Sequence, residues 1–203
     1  MIHVIDYGTG NIGSVLNMIR KVGGVARASG DADELRKATK LLLPGVGSFD
    51  NAVQKLEKLG LPGLLRQKAQ EGVPLLGICL GMQLLANESE EGTLPGLGLI
   101  PGNVRRFSFG HENIDLKIPH MGWNRIRSRK AHLLSRGLDG TSRFYFVHSY
   151  HFRCQNESDV LLETTYGYDF TSGVQRENVV GVQFHPEKSH RYGMQLMKNF
   201  VEI

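Results

Sequence analysis

Apolar and polar positions switch between two periods along the first half of the chain. Residues 3–5 form a short apolar run ending at Asp6-Tyr7-Gly8, which predicts a buried strand and a turn. Ile12, Val15, Leu16 and Ile19 then recur at helical spacing until Gly23-Gly24 stops the pattern. The rhythm repeats as a strand over 25–28, a charged surface helix over 31–40, and a Leu-Leu-Leu strand over 41–43 that closes on Pro44-Gly45-Val46-Gly47. Helices over 48–59 and 62–70 precede an apolar strand over 73–78, and helical spacing resumes over 82–86. Alternation of this kind predicts a parallel sheet covered by helices on both faces.

The second half changes character. Short strand-like runs over 103–107, 124–126, 144–152, 160–165 and 179–184 are separated by Gly- and Asn-rich turns, and an apolar-periodic helix spans 190–200. These runs predict antiparallel additions to the same sheet or a small second sheet. The expected fold is therefore α/β: one domain over 1–203, with a mixed, mainly parallel central sheet flanked by helices and antiparallel strands in its second half. No Pro- or Ser-rich linker and no repeat divides the chain.

Composition narrows the partners. Gly supplies 25 of 203 residues, about twice ordinary usage, so many tight turns are expected. A formal charge of +4 permits an anionic ligand but falls short of a nucleic-acid argument. The densest basic stretch, 124–130, alternates like a strand with one solvated face. The opening residues MIHVIDYG carry no basic segment and reach a glycine after a very short apolar run, which fits neither a signal peptide nor a membrane span. A cytoplasmic location and two reduced thiols follow as expectations.

One of those thiols stands out. A buried cysteine is ordinarily a small hydrophobe, but Gly77-Ile78-Cys79-Leu80-Gly81 places Cys79 between two glycines where an apolar strand switches to helical spacing. That is the cysteine form of a strand-to-helix nucleophile elbow, which predicts an exposed thiol at a strand's carboxyl end, with a helix N-terminus favouring the thiolate. A nucleophile needs a base. Among eight histidines, His3 reads as a strand residue, His111 and His132 as members of polar stretches, and His190 as a helix start. His185 differs: it ends the strand 179–184 and is followed by Pro186-Glu187, a compact base with an orienting carboxylate. The Gly45-Val46-Gly47 turn could offer backbone amides to an oxyanion, or be an ordinary strand-to-helix turn. Cys154 lacks flanking glycines and reads as structural.

These pieces, in their order along the chain, resemble the class I glutamine amidotransferases: Pro44-Gly45-Val46-Gly47, Gly77-Ile78-Cys79-Leu80-Gly81-Met82-Gln83 and Gln183-Phe184-His185-Pro186-Glu187. Asp6-Tyr7-Gly8-Thr9-Gly10-Asn11, Pro119-His120-Met121-Gly122-Trp123-Asn124, Tyr145-Phe146-Val147-His148-Ser149-Tyr150 and Lys188-Ser189 resemble one branch of that family, the glutaminase subunits of imidazole glycerol phosphate synthases. The resemblance implies hydrolysis of glutamine by Cys79, His185 and Glu187. It implies an oxyanion hole around Val46, Gly47 and Leu80, and glutamine binding by Gln83 with His148, Ser149 and Tyr150. It further implies a heterodimer with a (β/α)8 cyclase subunit that consumes the ammonia and is met by Asn11, Met121, Trp123, Tyr145 and Lys188. No cofactor is implied, and no Cys/His cluster has metal-ligand spacing.

Three other readings use the same residues. Gly8-Thr9-Gly10-Asn11-Ile12-Gly13 is a literal G-x-G-x-x-G with Asp31 or Asp33 downstream, the pattern of a dinucleotide-binding turn. It leaves Cys79 and His185 unexplained. A glutaminase of another pathway, or a cysteine hydrolase acting on peptides, keeps the fold and thiol. A catalytically silent binding partner would not need the complete set Cys79, His185 and Glu187.

Overall fold

The computed structural model describes residues 1–110 and 116–203. His111 lies outside the described residues. In chain order the elements are β1 (Ile2–Ile5), α1 (Ile12–Lys21), β2 (Ala26–Ser29), α2 (Ala32–Arg36), β3 (Leu41–Leu43), α3 (Phe49–Lys58), α4 (Leu61–Gln70), β4 (Leu75–Ile78), α5 (Leu80–Gln83) and β5 (Glu88–Ser89). There follow β6 (Gly102–Arg106), β7 (His120–Arg125), β8 (Arg127–Ser128), β9 (Arg143–His148), β10 (Tyr150–Cys154), β11 (Val160–Tyr166), β12 (Tyr168–Arg176), β13 (Val179–Val182) and α6 (His190–Glu202).

The main sheet runs β2-β1-β3-β4-β13-β12-β10-β6-β5, and its first five strands are parallel. From β12 onward the strands pair antiparallel, with β5 alone parallel to β6, while β7 and β9 make a separate antiparallel ribbon. Both expected forms of the second half are present at once. Buried side chains on α1 and α6 pack on one face of the parallel strands, and those on α2, α3 and α4 on the other. β3 divides between them: Leu41 and Leu43 point to one core and Leu42 to the other, which is why it reads as an unbroken apolar run.

Several elements depart from the sequence pattern. The helix expected over 31–40 is only five residues long, capped by Asp31 accepting from the Asp33 and Glu34 amides. It ends early because Lys40 is claimed by the sheet: its carbonyl accepts from His3, and its ammonium caps α6 by donating to the Phe200 and Val201 carbonyls. The helix expected over 82–86 starts earlier, directly after Cys79. The single strand expected over 144–152 is two strands broken at Ser149, one in each sheet. β12 has no apolar alternation to announce it. Its core side carries Ser172, whose hydroxyl accepts from Thr164 at 2.8 Å, and Gly173, against which Leu162 packs. The basic stretch 124–130 keeps its wet face, but there Arg127 pairs with Glu163 and Asp169, and Arg129 with Glu163.

Candidate active site

The carboxyl ends of β3, β4 and β13 meet at one edge of the parallel sheet, where α/β proteins commonly bind ligands. Cys79 follows β4 with φ 54° and ψ −112°, in the left-handed region that an L-residue avoids unless its surroundings impose it. The two glycines permit that turn by close approach. A Cβ on Gly77 would lie 2.6 Å from the Gly81 carbonyl oxygen, and one on Gly81 would lie 1.9 Å from that of Leu43. Cys79 is 7% exposed, so the expectation of an exposed thiol is corrected: the sulfur is reached through a cavity. The helix behind it, α5, has one turn, so its dipole is small and its main offering is the amide of its first residue, Leu80, which has no acceptor within the helix.

His185 follows β13. Its backbone is clamped to β9: its amide donates to the Tyr145 carbonyl, and the Ser189 hydroxyl donates to its own carbonyl while accepting from the Tyr145 amide. Its Nδ1 lies 2.8 Å from Glu187 Oε1, both side chains being nearly fully buried. The other Glu187 oxygen is buried without a partner among the described residues, so its charge is answered by this ring. Burial works against the imidazolium, but hydrogen bonds to Cys79 and Glu187 outweigh it and raise His185 to about 10. The arrangement favours the imidazolium form of His185.

A cavity of about 310 Å³ opens over the sulfur. Its lining brings together Cys79, His185, Val46, Gly47, Leu80, Gln83, His148, Ser149 and Tyr150, every residue that the sequence assigned to an oxyanion hole or to glutamine. The break at Ser149 is what turns the last three toward it. Glu91, Pro119 and Val147 complete the wall and were given no role: nothing in the local sequence signals Glu91, and Pro119 and Val147 are apolar members of segments singled out for other residues. Glu91 accepts from the Phe49 amide, and its carboxyl is raised by burial.

The G-x-G-x-x-G segment has another occupation. Thr9 donates its hydroxyl to the Val46 carbonyl and accepts from the Val46 amide, and Tyr7 donates to the Pro44 carbonyl. This turn therefore braces the Pro44–Gly47 turn, while Asp31 serves as the α2 cap. Asn11 caps α1 by accepting from Ser14. Met121, Trp123, Tyr145 and Lys188 gather beside the ribbon: Trp123 meets the edge of Tyr145 and stacks on His190, and the Lys188 ammonium lies 5.7 Å over the Tyr145 ring. Met121 at 61% and Trp123 at 42% exposure leave an apolar patch in solvent. Among the described residues no group of three or more His, Cys, Asp or Glu could hold a metal ion, and no helix is long and apolar enough to cross a membrane.

Beneath the cavity His148 donates from Nδ1 to the Tyr150 carbonyl at 2.7 Å, so its Nε2 accepts from His120 Nδ1 at 2.9 Å. Burial pushes His148 down to about 3 and His120 down to about 4. The unfolded chain takes up protons below about 6.5 that these folded rings refuse, so stability falls with pH from that point toward the folded values. Each ring contributes a slope of up to about 1.4 kcal/mol per pH unit. His185 has the opposite sign: its contribution is present below 6.5 and fades as pH rises toward about 10. Urea midpoints measured at pH 7, 6 and 5 should drop steadily, and less so in His120→Phe. A flat midpoint in the parent chain would contradict the buried, neutral rings.

Comparison with known proteins shows the family. A family model for class-I glutamine amidotransferases matches residues 3–203, and the chain belongs to that family. It is 52% identical to imidazole glycerol phosphate synthase subunit HisH 2 of Methanococcus maripaludis, with 100% of this chain and 99% of that protein covered. It is 50% identical to the subunit HisH 2 of Pseudomonas aeruginosa, with 100% of each covered. In solved structures, a glutamine amidotransferase superposes with TM-score 0.71 at 23% identity, covering 97% of this chain and 98% of that one. PurLQS from Thermotoga maritima superposes with TM-score 0.75 at 17% identity, covering 99% and 97%. These two likenesses concern the fold, including the expected mixed sheet.

Proposed function

We propose that this chain is the glutaminase subunit of an imidazole glycerol phosphate synthase, acting as one glutamine amidotransferase domain over 1–203. The observation that carries the reading is the strained Cys79 beside the His185-Glu187 pair, at the floor of a cavity lined by all the candidate glutamine-binding residues. A carboxamide is a weak electrophile, so the Cys79 thiolate attacks it, and the amides of Leu80 and the Val46-Gly47 turn stabilise the oxyanion. His185 gives its proton to the departing ammonia, and Glu187 holds the ring in the tautomer that faces sulfur. Water then adds to the thioester, passing a proton to His185 as the carbon-sulfur bond breaks. Glu91 supplies a carboxylate in the wall for the substrate's α-ammonium.

The ammonia must stay unprotonated, which calls for a sealed passage into a partner. The partner is a (β/α)8 cyclase subunit, forming a heterodimer that makes imidazole glycerol phosphate and an aminoimidazole carboxamide ribonucleotide for histidine biosynthesis in the cytoplasm. The exposed Met121 and Trp123, with Tyr145 and Lys188, suit its docking face, and Asn11 its edge. The identity of the two HisH relatives supports this branch of the family.

Low activity is expected of the chain alone. The Val46 amide is occupied by Thr9, 3.3 Å away, and is not free to face an oxyanion. Glutamate release should therefore rise strongly when the cyclase and its phosphorylated nucleotide substrate are both added. Turnover that ignores both would move the protein to another pathway, and no turnover in any mixture would end the glutaminase reading.

A further inference from the structure

Gln183 lies one residue past β13 and is fully buried between Val182 and Phe184. An amide there must be paired at both ends to be tolerated. Its Oε1 is 3.1 Å from Gln83 Nε2, and its Nε2 is 3.8 Å from Cys79 Sγ. Chemistry decides which end faces the sulfur. The Tyr150 carbonyl can only accept, so the Gln83 group 3.0 Å from it must be the NH2. That same nitrogen reaches Gln183, which must answer with its carbonyl oxygen. The Gln183 NH2 is left for Cys79. The Tyr150 carbonyl also accepts from His148, which fills its second lone pair and anchors the chain of bonds.

We propose that Gln183 is a positioning residue for the nucleophile, its amide N–H holding Cys79 Sγ toward the cavity and favouring the thiolate, with Gln83 locking the amide in that orientation. This rests on the reading of Cys79 as the nucleophile. A donor aimed at sulfur binds S⁻ more strongly than S–H, and the contact shortens as charge develops. It acts twice: before attack on the carboxamide, and again when water adds to the thioester, gives its proton to His185 and expels Cys79 as the thiolate. Gln83 thereby holds the sulfur's partner in place, in addition to any contact with glutamine.

The test is the pH dependence of Cys79 alkylation by iodoacetamide in the full chain, with the modified site identified by peptide mass spectrometry. No glutamine or cyclase is needed. In Gln183→Met the midpoint of the alkylation profile should move up by about one pH unit, the size of one lost hydrogen bond to a charged group. Gln183→Glu, which differs from the parent at one side-chain atom and carries the test if the first variant folds poorly, should move it further. With glutamine and cyclase, kcat should fall about tenfold or more while KM stays within a few-fold. An unmoved alkylation profile in a folded variant overturns the proposal. Glutamine turnover that survives in Cys79→Ala overturns the underlying reading instead, so the two failures are told apart.

Discussion

Cys79→Ala should lower kcat for glutamine hydrolysis by about 10⁴-fold or more while the chain remains folded. On the proposed reading, removing the sulfur leaves water to attack the carboxamide directly, with only the candidate oxyanion amides and substrate positioning to help. Folding should survive, because alanine keeps the Cβ in the same pocket and removes one atom from a site already bordering a cavity. Glutamine affinity should change by no more than a few-fold, since Gln83, the 148–150 segment and Glu91 are untouched. Cys154→Ala supplies the contrast. That thiol is pushed up to about 12, first by burial and then by Asp159, and it does not line the cavity over Cys79, so turnover should be unchanged. The measurement is glutamate release by the complex with cyclase, parent against both variants. Comparable rates in the parent and Cys79→Ala would remove the thioester route altogether.

The difference between those two cysteines was legible in sequence because it is local. Gly77 and Gly81 are demanded by contacts within two or three residues of Cys79 or at the neighbouring strand end, and His185-Pro186-Glu187 carries base and carboxylate within a single turn. The parallel half was legible for a related reason: strands buried on both faces are short apolar runs bounded by glycines. What escaped depends on partners distant in sequence. The division of 144–152 at Ser149 is invisible because apolar alternation continues through the break, and only pairing to β7 on one side and β6 on the other separates the strands. β12 escaped because its core-facing Ser172 is satisfied by Thr164 across the sheet. Thr9 became meaningful only when β1 and β3 placed it against Val46. The role of Gln183 required a second glutamine a hundred positions away.

Gly81→Ala is expected to produce the largest loss of stability of any of these substitutions, about 3 kcal/mol or more. The added Cβ would lie 1.9 Å from the Leu43 carbonyl oxygen and 2.8 Å from its carbon, and both are backbone atoms with no rotamer to change. Leu43 cannot withdraw: it pairs with Gly77 across the sheet and leads directly into the Pro44–Gly47 turn, which Tyr7 and Thr9 hold from the other side. Gly81 cannot withdraw either, since it is two residues from Cys79 and its carbonyl already crowds Gly77. Any relief must move the sulfur, the candidate oxyanion turn, or both, so the fraction that folds should also hydrolyse glutamine poorly. Gly63→Ala is the control. It lies inside α4 with nothing within 4 Å of its added Cβ, and should stabilise by roughly 0.5–1 kcal/mol through helix propensity alone. Urea unfolding of the two variants should diverge in sign from the parent, and equal midpoints would mean that α5 does not press on β3. The second glycine of the elbow is thus required by the packing of strand against helix before any chemistry takes place, and the same close approach that excludes a methyl group carries the Leu80 amide to the edge of the sheet beside the sulfur.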